Sequence, residues 1–172
     1  MHTIESERLV LRPFTLQDSD FILELLNTDG WIKYIGDRNV RTQEQAKGYL
    51  ENGALKSYKI NRFGLSLVEL RENQKAIGMC GLIKRDYLDH PDIGFAFLPA
   101  YHGKGYAHEI SKKVIEHGLN QLNAQKILAI VLPENFSSIR LLKKLGFEYE
   151  KNFINRDTNE ELALYGIGKN GE

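Results

Sequence analysis

The chain has 172 residues, enough for one domain that buries most of the surface its unfolded form would expose. A hydrophobic fraction of 42% and a charged fraction of 27% lie near the globular average and exclude a fibrous, linker-like or largely disordered protein. With 23 basic and 23 acidic side chains the formal charge is zero, so no net attraction favours nucleic acid or an anionic membrane as partner.

Cys80 is the single cysteine and can form no internal disulfide, and no Cys/His cluster has zinc-ligand spacing. Residues 1–7 carry neither the basic segment nor the apolar run of a signal peptide, and no stretch approaches about 20 apolar residues. The expectation is a cytoplasmic protein without a metal and without membrane association.

Residues 8–14 alternate apolar side chains with Arg8 and Arg12 until Pro13, which reads as a half-buried strand. Thr15 has the chemistry of a helix N-cap, and Asp18 lies in the first turn. Phe21, Ile22, Leu25 and Leu26 then recur at helical spacing before Asn27 and Gly30 close the segment. Trp31 and Tyr34 fall in the connection and read as core or lid. Thr42-Gln43-Glu44-Gln45 is a capping-box pattern and opens a second, polar helix that runs to about Tyr58.

Residues 63–70 and 75–84 are β-compatible runs joined by Arg71-Glu72-Asn73-Gln74, a polar loop of hairpin length, and are expected to pair antiparallel. A polar turn over 86–91 leads to the apolar run 93–98, which Pro99 ends because proline cannot donate to a sheet ladder. From Gly105 to about Leu122, one helical face carries Ala107, Ile110, Val114, Gly118 and Leu122. Residues 126–132 form a short apolar strand closed by Pro133. Asn135 then caps a helix that carries Ile139, Leu142 and Leu145 and stops at Gly146. Residues 147–153 and 161–167 finish as strands. The whole reads as one α+β domain over 1–172, ordered β-α-α-β-β-β-α-β-α-β-β, with about seven strands and four helices.

The link between the strand at 93–98 and the helix after it, Tyr101-His102-Gly103-Lys104-Gly105-Tyr106-Ala107, concentrates the chemistry. Gly103 and Gly105 let the backbone approach a ligand closely. The first turn of the following helix has amides without helical partners, and its dipole favours an anion, so a diphosphate suits the place. The spacing is not that of a dinucleotide fold, because position 108 is His. Nor is it that of a nucleotide-triphosphate loop, because Gly103-Lys104 precedes Gly105 rather than Ser or Thr. Taken alone, the two glycines are also compatible with an ordinary turn.

His102-Gly103-Lys104-Gly105-Tyr106-Ala107 resembles the Gln/Arg-x-x-Gly-x-Gly/Ala signature of the GNAT superfamily of N-acetyltransferases, with His102 in place of Gln or Arg. Ser6-Glu7-Arg8-Leu9-Val10-Leu11-Arg12-Pro13, Asn135-Phe136-Ser137-Ser138 and Leu145-Gly146-Phe147-Glu148 are similar to segments of its RimJ/RimL-like branch, which acetylates protein N-terminal amines and small amines. The resemblance covers nearly the whole chain. It implies a GNAT-like fold with a mixed, mostly antiparallel twisted sheet, in which two neighbouring strands splay apart. Acetyl-CoA is the implied cosubstrate. Main-chain groups of Phe97 and Leu98 would meet the pantetheine arm, His102, Gly103, Lys104, Gly105, Tyr106 and Ala107 the diphosphate, and Asn135 the cofactor as well. As an N-cap, Asn135 has a second role that needs no ligand.

The implied reaction is direct acetyl transfer to a primary amine, on a small molecule or a protein N-terminus, in a ternary complex. The amine must lose its proton before attack, which calls for a base. Asp92, just ahead of the strand, is the candidate, and its other reading is a turn residue after Pro91. Relatives often place a tyrosine acid seven residues after the Asn, where this chain has Leu142. Ser138 or a water would then protonate the thiolate, unless it leaves unprotonated. That substitution keeps open a non-catalytic acyl-CoA-binding module, beside a phosphate-binding interaction domain. Cys80 reads as a small buried hydrophobe, and Asp86, Asp89, His90 and Asp92 lack a recognised metal-ligand spacing. The acceptor is expected to be set by residues 27–60 and the strand ends, and the protein to be a monomer or a homodimer.

Overall fold

The computed structural model describes residues 3–155 and 158–169. The chain opens with a two-residue strand, β1 (Ile4–Glu5), which pairs antiparallel with β2 (Leu9–Arg12). Leu9 and Leu11 of β2 are buried while Val10 and Arg12 are half-exposed, as the alternation requires. The Arg12 guanidinium is forked between Asp18, at 2.8 and 3.0 Å, and Glu69, at 2.7 and 3.0 Å. Asp18 also accepts the Thr15 main-chain N–H at 2.7 Å, so one carboxylate both caps the next helix and ties it to the sheet.

Four helices follow: α1 (Ser19–Leu26), α2 (Asp29–Tyr34), α3 (Gln43–Leu50) and α4 (Lys56–Asn61), with a π-helical turn, Glu51–Leu55, fusing the last two. α2 departs from the expectation that Gly30 breaks the chain. Thr28 accepts the Trp31 N–H at 3.4 Å, and the Trp31 side chain is buried with its indole N–H on Gly36 O at 3.1 Å. Burial of the indole outweighs the weak helix propensity of glycine. The capping box at Thr42 and Gln45 is formed as expected.

The rest alternates as read: β3 (Leu65–Leu70), β4 (Ala76–Ile83), β5 (Asp92–Phe97), α5 (Tyr106–Asn120), β6 (Lys126–Val131), α6 (Phe136–Lys144), β7 (Glu148–Ile154) and β8 (Glu161–Gly168). The described residues thus hold eight strands and six α-helices. Beyond the expected seven and four, β1 and α2 are additional and the π-helical turn divides one long helix.

The strands form one sheet in the order β1-β2-β3-β4-β5-β6-β8-β7, antiparallel throughout except for β5 and β6. Leu67, Met79 and Leu98 on one face pack against Ile22, Leu25, Leu26, Trp31 and Leu50 of the α1 to α3 region. On the other face Cys80, Ile93, Phe97 and Ile127 pack against Ile110, Val114 and Ile115 of α5 and Leu142 of α6. Each helix layer buries a full apolar stripe, and this burial is the main stabilising term of the fold.

Candidate active site

β5 is paired over its whole length with β4, but with β6 it shares the single register pair Asp92↔Leu128. Leu128 N–H donates to Pro91 O at 2.9 Å, and beyond that point the strands part while β6 stays paired with β8. The result is a wedge-shaped opening in the sheet, with its vertex at Asp92 and its mouth at Phe97 and Val131.

Main-chain groups of successive strand residues point to opposite neighbours. Leu98 N–H donates to Ile77 O at 2.9 Å on the β4 side, so Phe97 and Phe95 direct theirs toward the opening. This corrects the expectation for Leu98, whose N–H is engaged by β4 and whose carbonyl accepts the Tyr101 N–H at 2.9 Å. Phe95, absent from that expectation, has the right parity. The Phe97 carbonyl lies 2.8 Å from His102 Nε2, so His102 holds the strand end from within the protein.

At the mouth stands the glycine loop. Gly103 and Gly105 adopt φ of +72° and +82°, left-handed values that disfavour side chains, and Gly105 is the N-cap of α5. The amides of Tyr106 and Ala107 open α5 without helical acceptors. Lys104 Nζ lies 5.4 Å and Lys75 Nζ 5.7 Å from the centre of the Tyr101 ring, which places two cations beside the loop. A left-handed glycine turn, unpartnered amides at a helix N-terminus and neighbouring cations suit a diphosphate.

At the vertex, Asp92 is 1% exposed and accepts Arg85 Nε at 2.9 Å, which makes it a buried ion-paired strand residue and overturns the reading as a surface turn residue. Burial pushes its carboxyl above the ordinary carboxylate range, and Arg85 offsets this only in part. Its side chain shares a sheet face with Ala96 and Leu98, the face covered by α1 to α3. Tyr49 of α3 lies within the electrostatic reach of Arg85 and Arg38, and its phenol is pushed up chiefly by burial. The segment 27–60 therefore borders the vertex from that face.

On the far side of the opening α6 begins. Asn135 Oδ1 accepts the Ser138 N–H at 3.2 Å, which realises the capping role. Ser138 sits half-buried in the first turn. Leu142 is 1% exposed and belongs to the core shared with α5, so its position faces packing rather than solvent. Cys80 is fully buried 3.6 Å from Ser111 Oγ, and burial pushes its thiol up to about 12. No group of three or more His, Cys, Asp or Glu among the described residues is placed to hold a metal ion, and none of their helices is long and apolar enough to cross a membrane.

A parallel pair opened at one end, with a glycine loop and helix N-terminus at its mouth and a buried carboxylate at its vertex, is an arrangement suited to an extended, diphosphate-bearing cosubstrate. Residues 8–148 match the acetyltransferase (GNAT) domain, and the chain belongs to that family as an acetyl-CoA-dependent N-acetyltransferase. It is 33% identical over 153 residues to the uncharacterized N-acetyltransferase YnaD of Bacillus subtilis, covering 89% of this chain and 86% of YnaD. It is 25% identical over 142 residues to spermidine N(1)-acetyltransferase of Escherichia coli, covering 81% and 73% of the two chains. A GNAT-family acetyltransferase from Bacillus anthracis superposes with a TM-score of 0.81 at 26% identity, over 97% of this chain and 98% of that one.

Proposed function

We propose that this enzyme acetylates a primary amine, on a small molecule or a protein N-terminus, by direct transfer in a ternary complex, as a member of the RimJ/RimL-like branch. The observation that carries the reading is the wedge between β5 and β6, with the loop 102–107 at its mouth and Asp92 at its vertex. Acetyl-CoA supplies the activated acyl group as a thioester. The Phe97 main-chain N–H orients the pantetheine arm, the amides of Gly103, Lys104, Gly105, Tyr106 and Ala107 hold the diphosphate with the charge of Lys104 beside them, and Asn135 steadies the cosubstrate from α6. His102 acts indirectly through the Phe97 carbonyl.

Asp92 takes the proton of the acceptor ammonium, directly or through a water. Its raised pKa brings the carboxylate nearer the working pH, which strengthens it as a base. Arg85 keeps the carboxylate oriented in the apolar surroundings. Ser138 in the first turn of α6, or a water, protonates the departing thiolate unless it leaves unprotonated, since Leu142 carries no proton and is packed away. The E. coli relative's spermidine supports an amine acceptor.

The test is thiol release from acetyl-CoA across a panel of polyamines, amino acids and peptides with free N-termini, with product mass confirming N-acetylation. Turnover on at least one amine, lost by about a hundredfold in Asp92→Asn, is expected for removal of a general base. CoA binding with no turnover on any amine would sink the proposal, and Asp92→Asn at wild-type rate would sink the base.

A further inference from the structure

The loop is held by a residue from near the start of the sequence. Arg8, at the entrance to β2, reaches across to residues 96 and 101 positions later. Its Nη1 donates to Lys104 O at 3.1 Å, while Nε and Nη2 each lie 2.7 Å from Glu109 Oε2. Its own main-chain N–H and the Ser6 hydroxyl close on Glu109 Oε1 at 2.8 and 2.7 Å. The guanidinium carbon stands 4.5 Å from the centre of the Tyr106 ring, and a Cβ added to Gly105 would lie 3.4 Å from Nη2.

We infer that Arg8 is the positioning residue of the cosubstrate loop, setting the direction of its amides and neutralising the carboxylate that shares the helix N-terminus with the diphosphate. The inference rests on the proposed role of the loop. In a trans peptide the C=O and N–H point in opposite directions. Arg8 fixes the Lys104 carbonyl on its own side, so the Gly105 N–H is aimed to the other, away from the guanidinium. Glu109 lies in the first turn of α5, where its charge would compete with a phosphate for the helix dipole. The paired Arg8 cancels it. Burial raises the Glu109 carboxyl, but the hydrogen bonds from Arg8 and Ser6 outweigh this and hold it below its ordinary range, so it carries its charge at neutral pH. The Arg8 side chain is 44% exposed and that of Glu109 17%, so solvent screens the guanidinium side of the pair and its share in folding is modest, which Arg8→Lys is there to separate from its effect on the ligand. The main consequence therefore falls on the ligand.

The test compares acetyl-CoA with S-acetylpantetheine, which keeps the thioester and lacks the diphosphate, in the wild type, Arg8→Gln, Arg8→Lys and Arg8→Gln/Glu109→Gln. The wild type should prefer acetyl-CoA in kcat/KM. In Arg8→Gln that preference should fall about tenfold, through KM rather than kcat, from a loop released and a charge stranded at the helix terminus. The double variant should recover part of the loss, because the charge is gone while the Lys104 carbonyl remains unheld. Arg8→Lys keeps the charge but lacks the fork that bridges both partners, so a smaller fall is expected, and this variant carries the test if the glutamine fails to fold. Equal losses on both donors, or a preference unchanged in Arg8→Gln, would overturn the inference and leave the loop reading intact. A wild type with no preference for acetyl-CoA would sink both.

Discussion

Replacing Gly105 by alanine perturbs one torsion at the N-cap of α5. Gly105 sits at φ +82°, and the added methyl would lie 3.4 Å from Arg8 Nη2, an ordinary contact. Steric overlap with the ligand-free protein is therefore not the main effect. The backbone is: an L-residue held in the left-handed region loses roughly 1–2 kcal/mol relative to glycine. If the folded chain keeps its conformation, that amount appears as lost stability, about 2–8 °C in Tm for a chain of this size. If the loop relaxes instead, its present conformation becomes a minor state, populated at about one part in ten for a penalty near 1.4 kcal/mol. Apparent affinity scales with that fraction, so the Kd for CoA rises up to about tenfold, and KM for acetyl-CoA follows while kcat changes much less. Calorimetric titration with CoA, beside steady-state kinetics and a melting curve, reads both outcomes. A Gly105→Ala protein with wild-type Kd and wild-type Tm would refute the argument that this turn needs a left-handed residue.

Three further outcomes follow from the same structure. Because burial raises the Asp92 carboxyl, kcat/KM should fall as pH drops through a value above the usual aspartate pKa of about 3.9, and Asp92→Asn should lose that acidic limb; a limb that persists in the variant assigns it elsewhere. The Cys80 thiol, pushed up to about 12 by burial, should react with a thiol reagent at pH 8 on the order of a hundredfold more slowly in the native protein than in denaturant, and equal rates would contradict its burial. Burial raises the Asp18 carboxyl, but Arg12 and the Thr15 N–H more than reverse this, so its folded pKa lies below its unfolded one and its stabilisation is present above the unfolded value. Asp18→Asn should therefore lower stability by about 1 kcal/mol at pH 7, with the difference vanishing as pH falls through the folded pKa. Denaturant titrations at pH 7 and pH 3 that give the same difference would exclude the linkage.

Most elements were legible because their signals are local. Thr15 with Asp18, Thr42 with Gln45, and Asn135 with Ser138 are caps whose partners lie three residues away, and each is formed. The hairpin joining β3 and β4 and the breaks at Pro99 and Gly146 are equally local. α2 was not legible, because Gly30 argues against a helix and only burial of Trp31 decides for one. β1 is too short for a period to register.

The amino-acid sequence by itself determined the order of elements and the glycine turn ahead of α5, since capping, breaking and alternation act within a few residues of chain. Tertiary structure alone decided three things about the site. It turned Phe97 toward the opening and Leu98 toward β4, because pairing parity is a property of two strands together. It made Asp92 a buried partner of Arg85, because burial depends on what α1 to α3 and β6 lay over it. It brought Arg8 onto Lys104 and Glu109, a contact about 100 residues apart in the chain that no local pattern encodes. Short-range physics writes the elements, while the electrostatics of the site arise only when distant charges are packed side by side.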